Sequence, residues 1–86
     1  MSRIPPIHCL QTFETLARIR NISKTADALC ISPSAVSHRM KLLHSIIAER
    51  LFDGENYSLT ENGQMYLGVV SESLRLLETY SLRQRN

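Results

Sequence analysis

Tryptophan is absent from this chain of 86 residues, aromatic side chains make up 6% of it, and cysteine occurs only twice. Cys9 and Cys30 are too few for a disulfide scaffold and lack the Cys-x-x-Cys spacing of a zinc site, so both read as free thiols. No apolar run approaches the ~18 residues of a transmembrane helix. A signal peptide is not legible either, because Arg3, Pro5, Pro6 and His8 interrupt any apolar h-region. A cytoplasmic protein is the expectation. The histidines are His8, His38 and His44. The last two are separated by about 600° of helical rotation and share no face. They form no recognised ligand set with the cysteines, and the serines have no neighbouring base or oxyanion site. Neither a metal, a cofactor nor catalysis is expected.

What is present fits one small domain. Hydrophobic residues supply 43% of the chain, enough for a core of Leu, Ile, Val and Ala, and charged residues 21%. That balance excludes a disordered polyelectrolyte and a membrane segment. The net charge is only +2, but residues 1–50 carry seven basic side chains against three acidic ones. Residues 51–86 reverse this, with three basic against five acidic. A polyanionic partner is therefore expected to meet the N-terminal half.

Helical periodicity orders the first half of the chain. Pro5-Pro6 suits a helix start, and Ile7, Leu10, Phe13, Leu16, Ala17 and Ile19 recur at helical spacing over 7–20. Asn21-Ile22-Ser23 reads as a break, with Ser23 the N-cap of a short second helix that turns Ala26 and Leu29 inward. Cys30-Ile31-Ser32 then makes a three-residue turn. Ser32-Pro33 is the strongest helix-start signal, a capping hydroxyl followed by proline at the first helical position. The third helix is expected over 33–48, with Val36, Met40, Leu43 and Ile47 on one stripe. Its opposite side carries Ser34, Ser37, His38, Lys41 and Ser45, a small and mildly basic face able to enter a groove.

Leu51-Phe52 and Tyr57-Ser58-Leu59 flank Asp53-Gly54-Glu55-Asn56, which reads as a very short hairpin. Thr60 caps a long last helix running from 61 into the low eighties. Leu67, Val70, Leu74 and Leu77 form one seam along it, and Met65, Val69 and Leu76 a second set. One stripe is expected to pack on the domain while the other seeks a partner. The seam at Leu67, Val70, Leu74 and Leu77 is assigned to dimerisation.

The plan is mainly α: a winged helix-turn-helix over 1–60, with a three-helix core and a short β-hairpin wing, followed by a long linker and dimerisation helix over 61–86. The residues also match one family. Leu10-Gln-Thr-Phe13, Ser23-Lys-Thr-Ala26-Asp-Ala-Leu29, Ile31-Ser-Pro-Ser-Ala-Val-Ser37, Leu43, Arg50-Leu51-Phe52 and Leu59-Thr60-Glu61-Asn62-Gly63 resemble the N-terminal domain of LysR-type transcriptional regulators. The resemblance covers about residues 5–80. It implies a dimer whose third helices enter the major groove of double-stranded DNA and whose last helix leads to an effector-binding domain. No such second domain is expected within these residues, nor any small-molecule ligand.

Both lines of reasoning select the same contact residues. Ser34, Ala35, Ser37, His38 and Lys41 lie on or beside the outward face of the third helix. The hydroxyls meet base edges or phosphates, the Ala35 methyl a thymine methyl and Lys41 a phosphate, with His38 a spectator at the DNA surface. Ser23, Lys24 and Ser32 lie beside the helix N-termini, where backbone N–H groups receive phosphates. Arg50 is expected at the DNA backbone and Tyr57 either packed under the wing or with its hydroxyl on a phosphate, whereas Arg18 and Arg20 read as a solvated face. The chain departs from the family at Pro33, where a base-reading glutamine is usual, at His44 and Ala48, and in the wing. There Asp53 and Glu55 stand where basic residues are usual, which weakens phosphate attraction. An alternative role follows from those departures: a partner module that pairs with a full-length regulator, keeping the fold with weakened DNA binding of its own.

Overall fold

Each helix begins and ends for a reason visible in its flanking residues. The computed structural model describes residues 4–84. They form α1 (Ile7–Ile19), α2 (Ile22–Leu29), α3 (Pro33–Ile47), β1 (Phe52–Asp53), β2 (Ser58–Leu59) and α4 (Glu61–Gln84). The carbonyl of Pro6 accepts the first α1 bonds, from the N–H groups of Cys9 at 2.9 Å and Leu10 at 3.3 Å. The second helix starts two residues earlier than the sequence reading placed it. Asn21, extended at φ −154°, is its N-cap, and its side-chain oxygen accepts from the Lys24 N–H at 2.8 Å. Ser23 is therefore not the cap but an exposed residue of the first turn. At α3 the expected arrangement holds: the Ser32 hydroxyl accepts from the Ala35 N–H at 3.1 Å, and Pro33 follows it.

All three helices stop on a residue other than glycine in the left-handed conformation: Arg20, Cys30 and Ala48, with φ 61°, 59° and 59°. Such a residue places its Cβ against the following carbonyl, a strain of about 1–2 kcal/mol. The gain is a closed end, since each cap N–H finds a helix carbonyl, as Arg20 does with Leu16 at 2.7 Å and Ala48 with His44 at 2.8 Å.

The core lies where α1 crosses the other helices. Phe13, Leu16, Val36, Leu43 and Leu51 are fully enclosed together with Cys9 and Ala26, and Met40, Val70 and Leu74 complete the cluster. Each large side chain so buried contributes about 1.5–3 kcal/mol. Leu29, expected to turn inward, is half-buried at the edge of the core, as is Phe52. Thr25 is enclosed as well, and its hydroxyl has no partner among the described residues. The Asn21 carbonyl, one turn back, instead accepts the Thr25 N–H at 2.9 Å.

The last helix joins this core with part of the seam expected to dimerise. Val70 and Leu74 are 2% and 5% exposed, packed within the chain itself, and Leu67 is half-buried against the same cluster. Leu77 continues that stripe past the end of the domain body and is 54% exposed. The stripe left open is Met65, Val69, Leu76 and Tyr80. Spacing alone separates the two stripes but cannot say which of them the chain covers itself.

A tight junction fixes the start of α4. The Leu51 carbonyl accepts from the Thr60 N–H at 3.0 Å, and the Thr60 hydroxyl donates to the Arg50 carbonyl at 2.6 Å and accepts from the Gly63 N–H at 3.0 Å. Gly63 passes so close to the Leu51 carbonyl that any Cβ would collide with it. Two single substitutions should consequently move stability in opposite directions in thermal unfolding. Gly63→Ala overpacks rigid backbone and should cost about 2 kcal/mol, lowering Tm by about 10 °C. Ala48→Gly relieves a left-handed alanine at an exposed site and should raise Tm by about 5 °C. An unchanged Tm in either variant would contradict the corresponding backbone argument.

Candidate nucleic-acid interface

The outward face of α3 follows from its inward one. With Val36, Met40 and Leu43 buried, Ser34, Ser37, His38 and Lys41 are exposed on the opposite side, and Ala35 is half-buried beside them. Small side chains there let the helix backbone approach a surface closely, and serine hydroxyls both donate and accept. The Ser34 and Ser32 hydroxyls share a hydrogen bond at 3.2 Å. Pro33 sits at the exposed first position of α3 and has no N–H to offer, so the helix N-terminus presents one donor fewer to an anion.

The remaining cation of α3 faces the other way. Arg39 is half-buried, and its Nη1 donates to the Thr12 hydroxyl at 3.2 Å, while that hydroxyl donates to the His8 carbonyl at 2.7 Å. Arg39 therefore fastens α3 to α1 rather than offering its charge outward. The sequence reading did not single it out; its signal is that it neighbours Met40 on the buried side.

The turn before α3 is set by Cys30. Its left-handed backbone lets the Cys30 N–H reach the Asp27 carbonyl at 3.2 Å and the Ile31 N–H reach the Ala26 carbonyl at 3.0 Å. These bonds orient α3 on α2. Ser23 and Lys24 lie exposed at the start of α2, near backbone N–H groups that carry its positive dipole end.

The wing is a two-pair antiparallel ladder, Phe52 opposite Leu59 and Asp53 opposite Ser58. Gly54, at φ 70°, supplies the turn, and Tyr57 is also left-handed at φ 55°. The Tyr57 ring packs edge-on against Phe52, with centroids 5.6 Å apart, and His44 meets Phe52 from α3 at 6.3 Å. Tyr57 is thus a half-buried wing residue. Arg50 does not project freely, as expected of a DNA-backbone contact: its Nε donates to the Phe52 carbonyl at 3.3 Å and its Nη2 pairs with Asp53 at 3.3 Å. Such an exposed pair holds by less than about 1 kcal/mol, so a phosphate can compete for the guanidinium.

Arg20 also departs from its reading as part of a solvated face. It reaches across the surface to donate from Nε to the Asn56 carbonyl at 3.1 Å and from Nη2 to the Ser58 hydroxyl at 2.7 Å. No local pattern announces a contact between residues so far apart in the chain. Elsewhere, burial pushes the Cys9 thiol above its ordinary range, with Arg39 opposing the shift, and burial also raises the Tyr66 hydroxyl. The exposed Glu72 carboxyl is lowered by its hydrogen bond to Arg75. Among the described residues no three His, Cys, Asp or Glu side chains gather as metal ligands, and no helix is long and apolar enough to cross a membrane.

Helix, tight turn, second helix and a hairpin wing, over a helix whose free face is small and polar, define a winged helix-turn-helix DNA-binding domain. The sequence pattern of the bacterial regulatory helix-turn-helix protein, lysR family, matches residues 7–64. The chain belongs to the LysR family of transcription regulators, which are not enzymes. The glycine cleavage system transcriptional activator homolog of Haemophilus influenzae is 42% identical over 77 residues, covering 87% of this chain and 26% of that protein. The chain spans about a quarter of the length of the curated relatives it matches. Among solved structures, a mutant of Corynebacterium glutamicum OxyR superposes with TM-score 0.92 at 21% identity, covering all of this chain and 28% of the other. The BenM_DBD/catB site 1 DNA complex gives 0.87 at 17% identity, covering 93% and 88%. At such identities these two likenesses concern the fold.

The two thiols provide a check on the turn and the core. Cys9 is buried, and burial raises its thiol above the ordinary range, whereas Cys30 is exposed at the turn. Mass spectrometry after brief alkylation of the native domain should show one adduct, on Cys30, with Cys9 reacting only in denaturant. Equal labelling of both thiols in the native protein would contradict the packing around Cys9.

Proposed function

We propose that this domain binds double-stranded DNA sequence-specifically as a dimer, as the DNA-binding part of a cytoplasmic LysR-type transcription regulator. The observation that carries this reading is the exposed face of α3, where Ser34, Ser37, His38 and Lys41 line up on a helix of small outward side chains. In the major groove, Ser34 and Ser37 exchange hydrogen bonds with base edges, the Ala35 methyl meets a thymine methyl, and Lys41 pairs with a phosphate. His38 lies at the same surface. Ser23, Lys24 and Ser32 hold backbone phosphates beside the starts of α2 and α3, with Pro33 contributing shape alone. Arg50 and Tyr57 add backbone contacts once Arg50 exchanges Asp53 for a phosphate. The BenM_DBD likeness supports the mode, since that domain is described bound to DNA with this fold.

The dimer forms through α4. Its open stripe of Met65, Val69, Leu76 and Tyr80, between 55% and 68% exposed, is a run of large apolar side chains that a second helix could cover. Leu77 extends this surface, and a shallow apolar groove beside it is lined by Ile47, Leu51, Met65, Tyr66 and Val69. Leu67, Val70 and Leu74 stabilise the interface from beneath, as core residues. A two-fold pairing sets the two α3 helices about one turn of DNA, or a multiple, apart, so the target is an interrupted palindrome.

The acidic wing favours a second reading. Asp53 and Glu55 are exposed at the tip, and Arg50 is engaged with Asp53. A domain so arranged makes few phosphate contacts and suits a module that pairs with a full-length regulator through α4, forming a heterodimer of reduced DNA affinity.

Selection from a random duplex library at two salt concentrations separates the two. A palindromic motif recovered at both supports the first reading, and motif-free, weak binding at low salt supports the second. On the selected site, Ser37→Ala should lose about 1–2 kcal/mol of discrimination at one base position. Lys41→Ala should weaken all sites alike and lower the slope of log affinity against log salt by about 1. If both variants fold and bind as the parent does, α3 is not the reading helix. For the dimer, Val69→Glu or Leu76→Glu should yield monomers in sedimentation. A dimer that survives both places the interface elsewhere.

A further inference from the structure

Arg20 ends α1 at φ 61° and ψ 35°, a conformation that glycine adopts without strain and arginine does not. What the arginine adds lies on the wing. Its guanidinium donates from Nε to the Asn56 carbonyl at 3.1 Å and from Nη2 to the Ser58 hydroxyl at 2.7 Å, so it grips the chain on both sides of Tyr57. Tyr57 is itself left-handed, at φ 55°. A ladder of two residue pairs is too short to hold its own orientation. On its inner side the wing is held by Phe52 against Phe13, with centroids 5.5 Å apart. On its outer side Arg20 supplies with a side chain the bonds that a flanking strand would supply with its backbone. The planar fork of arginine suits this two-point grip, whereas a lysine ammonium, a single nitrogen, does not.

We propose that Arg20 is a positioning residue for DNA binding: it locks the wing to the junction between α1 and α2 and so sets where the wing meets the duplex relative to α3. The role rests on the DNA-binding reading above. It also explains how a wing carrying two acids still serves that reading. A wing held in place can present the Asn56 side chain and the Tyr57 hydroxyl to the DNA backbone without first losing conformational freedom.

The test is a double-mutant cycle of Arg20→Gly and Ser58→Ala on the intact chain, read by amide hydrogen exchange over residues 52–59 and by affinity for the selected duplex. Glycine fits φ 61°, so Arg20→Gly removes the grip without removing the helix stop, and Tm should hold or rise. Wing amides should then exchange about ten-fold faster, and affinity should fall about five- to ten-fold while the preferred motif stays the same. Arg20→Lys keeps the charge and should restore only part of the loss. Ser58→Ala alone should weaken binding about two- to three-fold, with little further effect when Arg20 is already glycine. The proposal is overturned if Arg20→Gly matches the parent in exchange and affinity, if lysine restores both fully, or if the two substitutions act additively. If the parent itself binds no duplex, the DNA-binding reading fails and takes the positioning role with it. The exchange cycle then still reports whether the grip exists.

Discussion

Phe13, in the middle of α1, touches the two parts of the molecule that come last in the chain. Its ring lies 5.5 Å from that of Phe52 in the wing and 5.6 Å from that of Tyr66 on α4, and it is wholly enclosed. The same helix packs on α2 and α3. One side chain therefore ties together the helix that supports α3, the wing and the helix that carries the open apolar stripe. Aromatic contact is broad but weakly directional, so orientation has to come from polar bonds around it. Three sets supply it: Arg39 through Thr12 for α3, Thr60 between the Leu51 and Arg50 carbonyls and the Gly63 N–H for α4, and Arg20 for the wing.

This division of labour shapes what the surface can do. Within the described residues, Arg20 and Arg39 are committed to internal fastening and Arg50 to the wing's own acid, while Lys24 and Lys41 have no ion-pair partner. Electrostatic attraction to a polyanion is therefore modest. On the proposed DNA-binding reading, discrimination would fall to short-range contacts along α3, with a shallow salt dependence and a need for exact placement of its elements. Strain at the helix ends fits that requirement. The backbone stays in left-handed conformations at Arg20 and Cys30, next to the elements proposed to approach DNA, because each closes a helix and aims the next one.

Most of this architecture was legible in the residues, because it rests on local rules. Ser32-Pro33 announces α3, Val36, Met40 and Leu43 announce its buried face, and Thr60 announces α4 within a residue. The misreadings arise where the path of the backbone, and not the residue pattern, decides which of two acceptable arrangements forms. Asn21 and Ser23 are both acceptable caps, and only the path of the chain after Arg20 decides for Asn21. The two stripes of α4 have similar spacing, and only the position of α1 shows that Val70 and Leu74 face inward while Met65 and Val69 do not. Arg20 and Arg50 look like free cations until the wing folds back beside them.

The central claim is that α3, the start of α2 and the wing form one DNA-facing surface, with the open stripe of α4 reserved for a second copy. Amide chemical-shift mapping of the labelled domain, titrated with its selected duplex, tests this most directly. The account predicts that the largest changes fall at residues 23–24, 32–41 and 54–58, with the amides around Val69 and Leu76 unaffected by DNA once the dimer has formed. Changes concentrated on α4, with residues 32–41 silent, would contradict it.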